Sequence, residues 1–135
     1  MPEPLSLSLR PIIDKMGSLI SEGKVTKTAC AGGWRYSGES FLEQIAKLKK
    51  AMTDGGNEVV ECHATHFTRG ANIGNPTRRL ILIQIRGTSI LDPGGLLSPG
   101  SYQYLEDSRT LISEDGKGVD VGVVVLAEET TFTKV

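Results

Sequence analysis

Apolar residues recur at intervals of three and four over Ile12, Ile13, Met16, Leu19 and Ile20. That spacing puts them on one face of an α-helix. Pro11 suits the first turn, where its missing N–H leaves no hydrogen bond unmade, and Gly23 suits the position just past the end. The same interval returns at Phe41, Leu42, Ile45, Leu48 and Met52, with Lys47, Lys49 and Lys50 toward the wet side. Ser40 and Glu43 have the offset of a capping box at the start of this second helix, and Gly55-Gly56 closes it.

Elsewhere the apolar positions alternate or run on continuously, as strands require. Residues 24–31 read as one strand. Residues 59–69 and 78–89 read as two long strands, joined by a hairpin loop over residues 70–77 with two glycines, two asparagines and Pro76. Residues 92–100, rich in Pro and Gly, are long for a simple connection. Residues 109–113 are expected to pair with 119–127. The run Val119-Asp120-Val121-Gly122-Val123-Val124-Val125-Leu126 is the most strand-like and is expected to lie centrally in its sheet. The pattern predicts an α+β fold, a mainly antiparallel sheet of about five strands with two helices packed on one face. Residues 1–9 read as a tail or short edge strand, and 10–135 as a single domain.

Two strands joined in that way have a register. If Arg69 lies opposite Arg78, then His63 faces Gln84 and Glu61 faces Arg86. Glu61, His63, Gln84 and Arg86 then share one sheet face, while Cys62 and His66 turn to the aliphatic side. This matters because both histidines and one of two cysteines fall between Glu61 and His66. Strand geometry separates Cys62 from His66 by about 13 Å along the chain, so the two do not close on one zinc ion. No metal site is assigned. His63, with Glu61 and Arg86, is the catalytic candidate if the protein is an enzyme. His66 reads as a core or rim histidine. His63-Ala64-Thr65 fits the H-x-T pattern of two-histidine phosphoesterases. A second copy of that motif needs a third histidine, and the chain has two.

A second candidate site runs from a strand through glycines into a helix start. In it Gly32 and Gly33 let backbone approach a ligand, Arg35 supplies a counter-charge, and Trp34, Tyr36 and Ser37 add stacking and hydrogen bonds. With Gln84, these residues suit an anionic or nucleotide-like small molecule. The spacing matches neither G-x-G-x-x-G nor the P-loop.

Charge adds one more possibility. The net charge of −1 gives no bulk attraction for nucleic acid or membrane. Arg69, Arg78 and Arg79 nevertheless cluster at the expected hairpin tip, and an arginine-tipped hairpin can enter a groove or grip a single strand. Two cysteines are too few for a disulfide scaffold, and Met1 to Leu5 have no signal-peptide pattern, so a cytoplasmic protein with reduced thiols is expected. Broad β-branched strand surface with few edge guards suggests a homo-oligomer. No cofactor motif and no membrane span is present in the sequence. The leading expectation is a small binding protein for an anionic or nucleotide-like ligand or a protein partner. Nucleic-acid binding and a His63-based hydrolase or transferase are the alternatives.

Overall fold

The computed structural model describes residues 2–128. Its elements in chain order are β1 (Glu3–Pro4), α1 (Arg10–Ser21), β2 (Thr26–Cys30), β3 (Gly33–Ser37), α2 (Glu39–Asp54), β4 (Val59–Phe67), β5 (Gly70–Ile73), β6 (Leu80–Arg86), β7 (Ser89–Asp92), β8 (Gly95–Leu97), β9 (Ser101–Leu105), β10 (Arg109–Ser113) and β11 (Val119–Leu126). The fold is α+β with antiparallel pairing, and the described residues form two helices and eleven strands in two sheets rather than about five strands in one. The larger sheet runs β1-β9-β6-β11-β4-β3-β2, and the smaller runs β5-β10-β7-β8.

The helices form where the periodicity places them. Pro11 sits in the first turn of α1, and Ile13, Met16, Leu19 and Ile20 are buried. Past its end, the Gly23 N–H donates to the Ile20 carbonyl and the Lys24 N–H to the Leu19 carbonyl, the paired bonds of a Schellman turn. Helix α2 starts two residues earlier than the capping box implies. Its N-cap is Gly38, no side chain caps it, and Glu43 instead reaches Lys47 at 3.9 Å.

Strand β11 is buried at every residue and occupies the middle of the large sheet. Its alternate residues feed two cores. Val124 and Leu126 join Ile81, Ile83 and Ile85 of β6 and the apolar faces of both helices. Val119, Val121, Val123 and Val125 join Leu80 and Leu82 of β6 and the inner residues of the small sheet, including Leu91, Leu97 and Leu111. The large sheet is thus covered by helices on one face and by the small sheet on the other. A continuous apolar strand belongs where both faces are dry. The β-branched residues of β6 and β11 are therefore covered within the chain, whereas Val60, Ile90 and Ile112 stay exposed.

That arrangement overturns the expected hairpin. β11 lies between β4 and β6 and pairs with both, so β4 and β6 run in the same direction and do not touch as partners. Residues 70–77 are not a simple loop, because Gly70–Ile73 form β5 of the small sheet. β10 pairs with β5 and β7 rather than with β11. The excursion after Asp92 is a hairpin of β7 and β8. Residues 3 and 4 do form a short edge strand, on β9.

At Gly33, strand β3 lies close against β4. A methyl group on its Cα would lie 1.7 Å from the His66 carbonyl oxygen and 2.8 Å from its carbon. The glycine that looked ready to admit a ligand admits the neighbouring strand.

Candidate functional site

A row of side chains crosses four strands on the helix face of the large sheet. Trp34 of β3 is opposite His66 of β4, His66 is opposite Asp120 of β11, and Asp120 is opposite Arg86 of β6. Tyr36, two residues along β3 from Trp34, points to the same face. Its hydroxyl donates to Asp120 Oδ1. His66 Nδ1 lies 2.8 Å from that same oxygen, and Arg86 Nη1 lies 3.9 Å from Oδ2. Asp120 is 4% exposed. A carboxylate that deep is tolerable only with such partners.

The imidazole is held from other sides too. The Trp34 ring stacks on it with centroids 4.1 Å apart and planes 7° apart, and Lys27 Nζ sits 4.6 Å from the Trp34 ring centroid. Gly118 adjoins the far edge of the imidazole. A Cβ there would come within 2.6 Å of His66 Cε1 and Nε2, and its φ of +96° also favours glycine.

Arg86 reaches this row because β6 is irregular. The register shifts between Asp120 and Val121, so Gln84 pairs with Val121 while Arg86 pairs with Asp120 and Ile85 is left between them. A bulge of this kind re-aims the next side chain. Without it, Arg86 would lie on the small-sheet face with Leu80, Leu82 and Gln84. Gln84 is fully buried and braces the following turn. Its Nε2 donates to the Arg86 and Gly87 carbonyls at 3.0 and 2.9 Å, and its Oε1 accepts from the Ser89 hydroxyl at 2.8 Å.

These groups open onto a cleft of about 260 Å³ lined by His66, Arg86, Gly87, Asp115, Lys117, Gly118 and Asp120. The Asp115 carboxylate turns back into its own loop, where it accepts from the Lys117 N–H at 2.9 Å and the Ser113 hydroxyl at 3.3 Å. The Lys117 N–H is also the main cause holding the Asp115 carboxyl below its usual range. Burial first, then Asp120, pushes the Tyr36 hydroxyl well above the usual phenol range, so it remains a donor.

The other predicted residues are distributed differently. Glu61 and His63 are neighbours on the opposite face, with Glu61 Oε1 3.5 Å from His63 Nε2 and His63 Nδ1 3.2 Å from the Thr65 hydroxyl. Their cation is Arg35, 3.8 Å from Glu61, rather than Arg86. Burial, then Arg35, holds the His63 ring below the usual imidazole range. The expected quartet of Glu61, His63, Gln84 and Arg86 is therefore split three ways. From residues 32–37 the site takes Trp34 and Tyr36. Gly32 accepts a backbone bond from Thr68, Gly33 abuts β4, and Ser37 pairs with Thr26.

The arginine-tipped hairpin does not form. Arg69 follows the Phe67 end of β4, which adjoins Val119, whereas the Arg79 carbonyl bonds the Leu126 N–H. Seven residues of β11 separate those ends, roughly 24 Å. Arg79 is buried, donating to the Tyr104 hydroxyl and the Ala127 carbonyl. Arg78 is exposed with a positive φ of 63°.

Cys62 shares the helix face with His66 but is partly buried, and burial pushes its thiol up to about 12 from the ordinary 9.0. The raised value means the folded state favours the neutral thiol. Its contribution to stability is full below about pH 9 and is lost as pH rises toward 12. At pH 8 iodoacetamide should alkylate exposed Cys30 and leave Cys62 intact in the folded protein. Equal labelling by mass spectrometry would contradict this environment.

Sequence reasoning passed over Asp120 and set His66 aside as a core or rim residue. The signal was present. A lone acid inside an otherwise apolar run cannot be buried without partners, and His66 is one residue type able to provide one. No protein-family model matches this chain, and no curated protein matches it. Among the described residues no helix is long and apolar enough to cross a membrane.

Proposed function

We propose that this protein binds a small anionic molecule in the cleft between Arg86 and Lys117, against the edge of His66. One observation carries the reading: two cationic side chains and a clamped imidazole line a single cleft. Both carboxylates there are already occupied. Asp120 accepts from Tyr36 and His66, and Asp115 from its own loop. Arg86 touches Asp120 only loosely and is about half exposed, which leaves most of its five N–H donors for a ligand. The volume is a little below the usual range for organic ligands, about 300–1,000 Å³, so the ligand is small. A dicarboxylate or a phosphate matches in size and charge.

The test is thermal stabilisation by succinate, phosphate and citrate, each against sodium chloride at equal ionic strength. A ligand that binds only the folded state raises the midpoint with concentration. Arg86→Ala and Lys117→Ala should each weaken the effective anion about tenfold, the loss of one charge-assisted hydrogen bond. Unchanged affinity in both variants would place the anion elsewhere. No stabilisation by any of the three would remove the reading.

A further inference from the structure

We infer that the cleft is also a hydrolytic site, in which His66 is the general base that activates water against a small anionic carboxylic ester. This rests on the anion-binding reading above and adds a reaction to it. The inference stands on the way His66 is held. Its Nδ1 faces the Asp120 carboxylate at 2.8 Å. A carboxylate accepts, so Nδ1 carries the hydrogen and, in the neutral ring, Nε2 keeps the lone pair. Asp120 cannot swing away, because it is buried and also receives the Tyr36 hydroxyl. Trp34 fixes the ring plane by stacking. Gly118 packs its backbone against the edge bearing Cε1 and Nε2, so closely that a Cβ would come within 2.6 Å of both atoms, and both residues line the cleft. An imidazole held in one orientation, at the wall of a cleft lined by Arg86 and Lys117 as well as by Asp115 and Asp120, has the elements of a general base.

Among the described residues no serine, threonine or cysteine lines this cleft, so the nucleophile assigned is water. Its oxygen attacks the acyl carbon while one proton passes to His66 Nε2, and the carbonyl π electrons move to oxygen. The tetrahedral oxyanion collapses, the C–O bond to the alcohol breaks, and the proton on Nε2 goes to the departing oxygen. The products are a carboxylic acid and an alcohol, and His66 returns to its starting tautomer. Arg86 and Lys117 are the cations available for the ester's own carboxylate and for the transient oxyanion. A monoester of a short dicarboxylic acid has the size and charge this arrangement accepts.

The experiment uses the whole chain with mono-4-nitrophenyl succinate, and with neutral 4-nitrophenyl acetate for comparison. The wild type is expected to hydrolyse the anionic ester with a kcat/KM about 100-fold or more above that of His66→Gln, the usual range for a lost general base. Arg86→Ala should lower the preference for the anionic ester, and His63→Gln should change neither rate. Carbethoxylation of His66 in the folded wild type, located by mass spectrometry and prevented by succinate, should cause the same loss without any substitution. Succinate stabilisation measured in parallel separates the two readings. Stabilisation by succinate without hydrolysis above the buffer rate, or with hydrolysis equal in His66→Gln, overturns the catalytic inference and leaves binding standing. Absence of both overturns both.

Discussion

Gly33→Ala should prevent the protein from reaching its native sheet, with a loss of stability above about 4 kcal/mol, the tail of single-substitution effects. The cause is local. The new methyl group would sit 1.7 Å from the His66 carbonyl oxygen, inside the β3–β4 pairing. Backbone on both sides has to part, because no flexible side chain is available to yield. The damage would spread to the site, since the same pairing sets Trp34 on His66. Far-UV circular dichroism and urea unfolding measure this directly. A Gly33→Ala protein within about 1 kcal/mol of wild type, a typical mild substitution, would mean that the strands are not in this contact. Gly74→Ala is the matched control, because nothing lies within 4 Å of a Cβ at that position.

Asp120→Ala should be the most damaging change within the site itself, costing about 3 kcal/mol from stranded donors, or about 10 °C in Tm for a chain of this length. The buried Tyr36 hydroxyl and His66 Nδ1 both lose their acceptor. The Arg86 contact adds little, being 3.9 Å long and half exposed. The shared acceptor also predicts non-additivity. Tyr36→Phe should be costly in wild type and nearly neutral once Asp120 is gone, because the hydroxyl then has no acceptor to lose. Equal costs of Tyr36→Phe in the two backgrounds would show that the hydroxyl gains nothing from Asp120.

The sequence made both helices, the strands β2, β4, β6, β10 and β11, and the centrality of β11 legible, because each is set by local periodicity, whereas β3, β5, β8 and β9 are short and fell in stretches read as turn, loop or excursion or assigned no element. Ile13, Met16, Leu19 and Ile20 mark one helix face whatever packs on it, and the valine run of β11 asks for two covered faces. Pairing was not legible in the same way. Residues 59–69 and 78–89 satisfy a hairpin register in which every residue finds an acceptable partner. What defeats that register is a strand some forty residues further on, whose burial on both faces outweighs a short connection.

The site failed to emerge from the sequence for a related reason. Its members come from β3, β4, β11 and the end of β6, and they meet only once β11 is inserted. The placement of Arg86 needed one further fact, the bulge that leaves Ile85 between paired residues. Strict alternation puts Arg86 with Gln84 on the wrong face. Trp34 and Tyr36 were found, but for a ligand that a glycine-rich turn between strand and helix was expected to bind. Their role here is to clamp His66 and to supply a donor to Asp120.

The two histidines give the most direct measurement of whether the cleft binds an anion. They lie on opposite faces of β4, His66 at the cleft and His63 beside Glu61 and Thr65. Side-chain ¹⁵N–¹H correlation spectra of the uniformly labelled protein therefore contain two separately assignable imidazoles, which His63→Gln identifies. Titration with succinate at constant pH and ionic strength should shift the His66 signals saturably and leave those of His63 in place, and Arg86→Ala should move the midpoint about tenfold higher. Still His66 signals across the titration, or parallel drift of both histidines, would contradict the assignment of this cleft as the binding site.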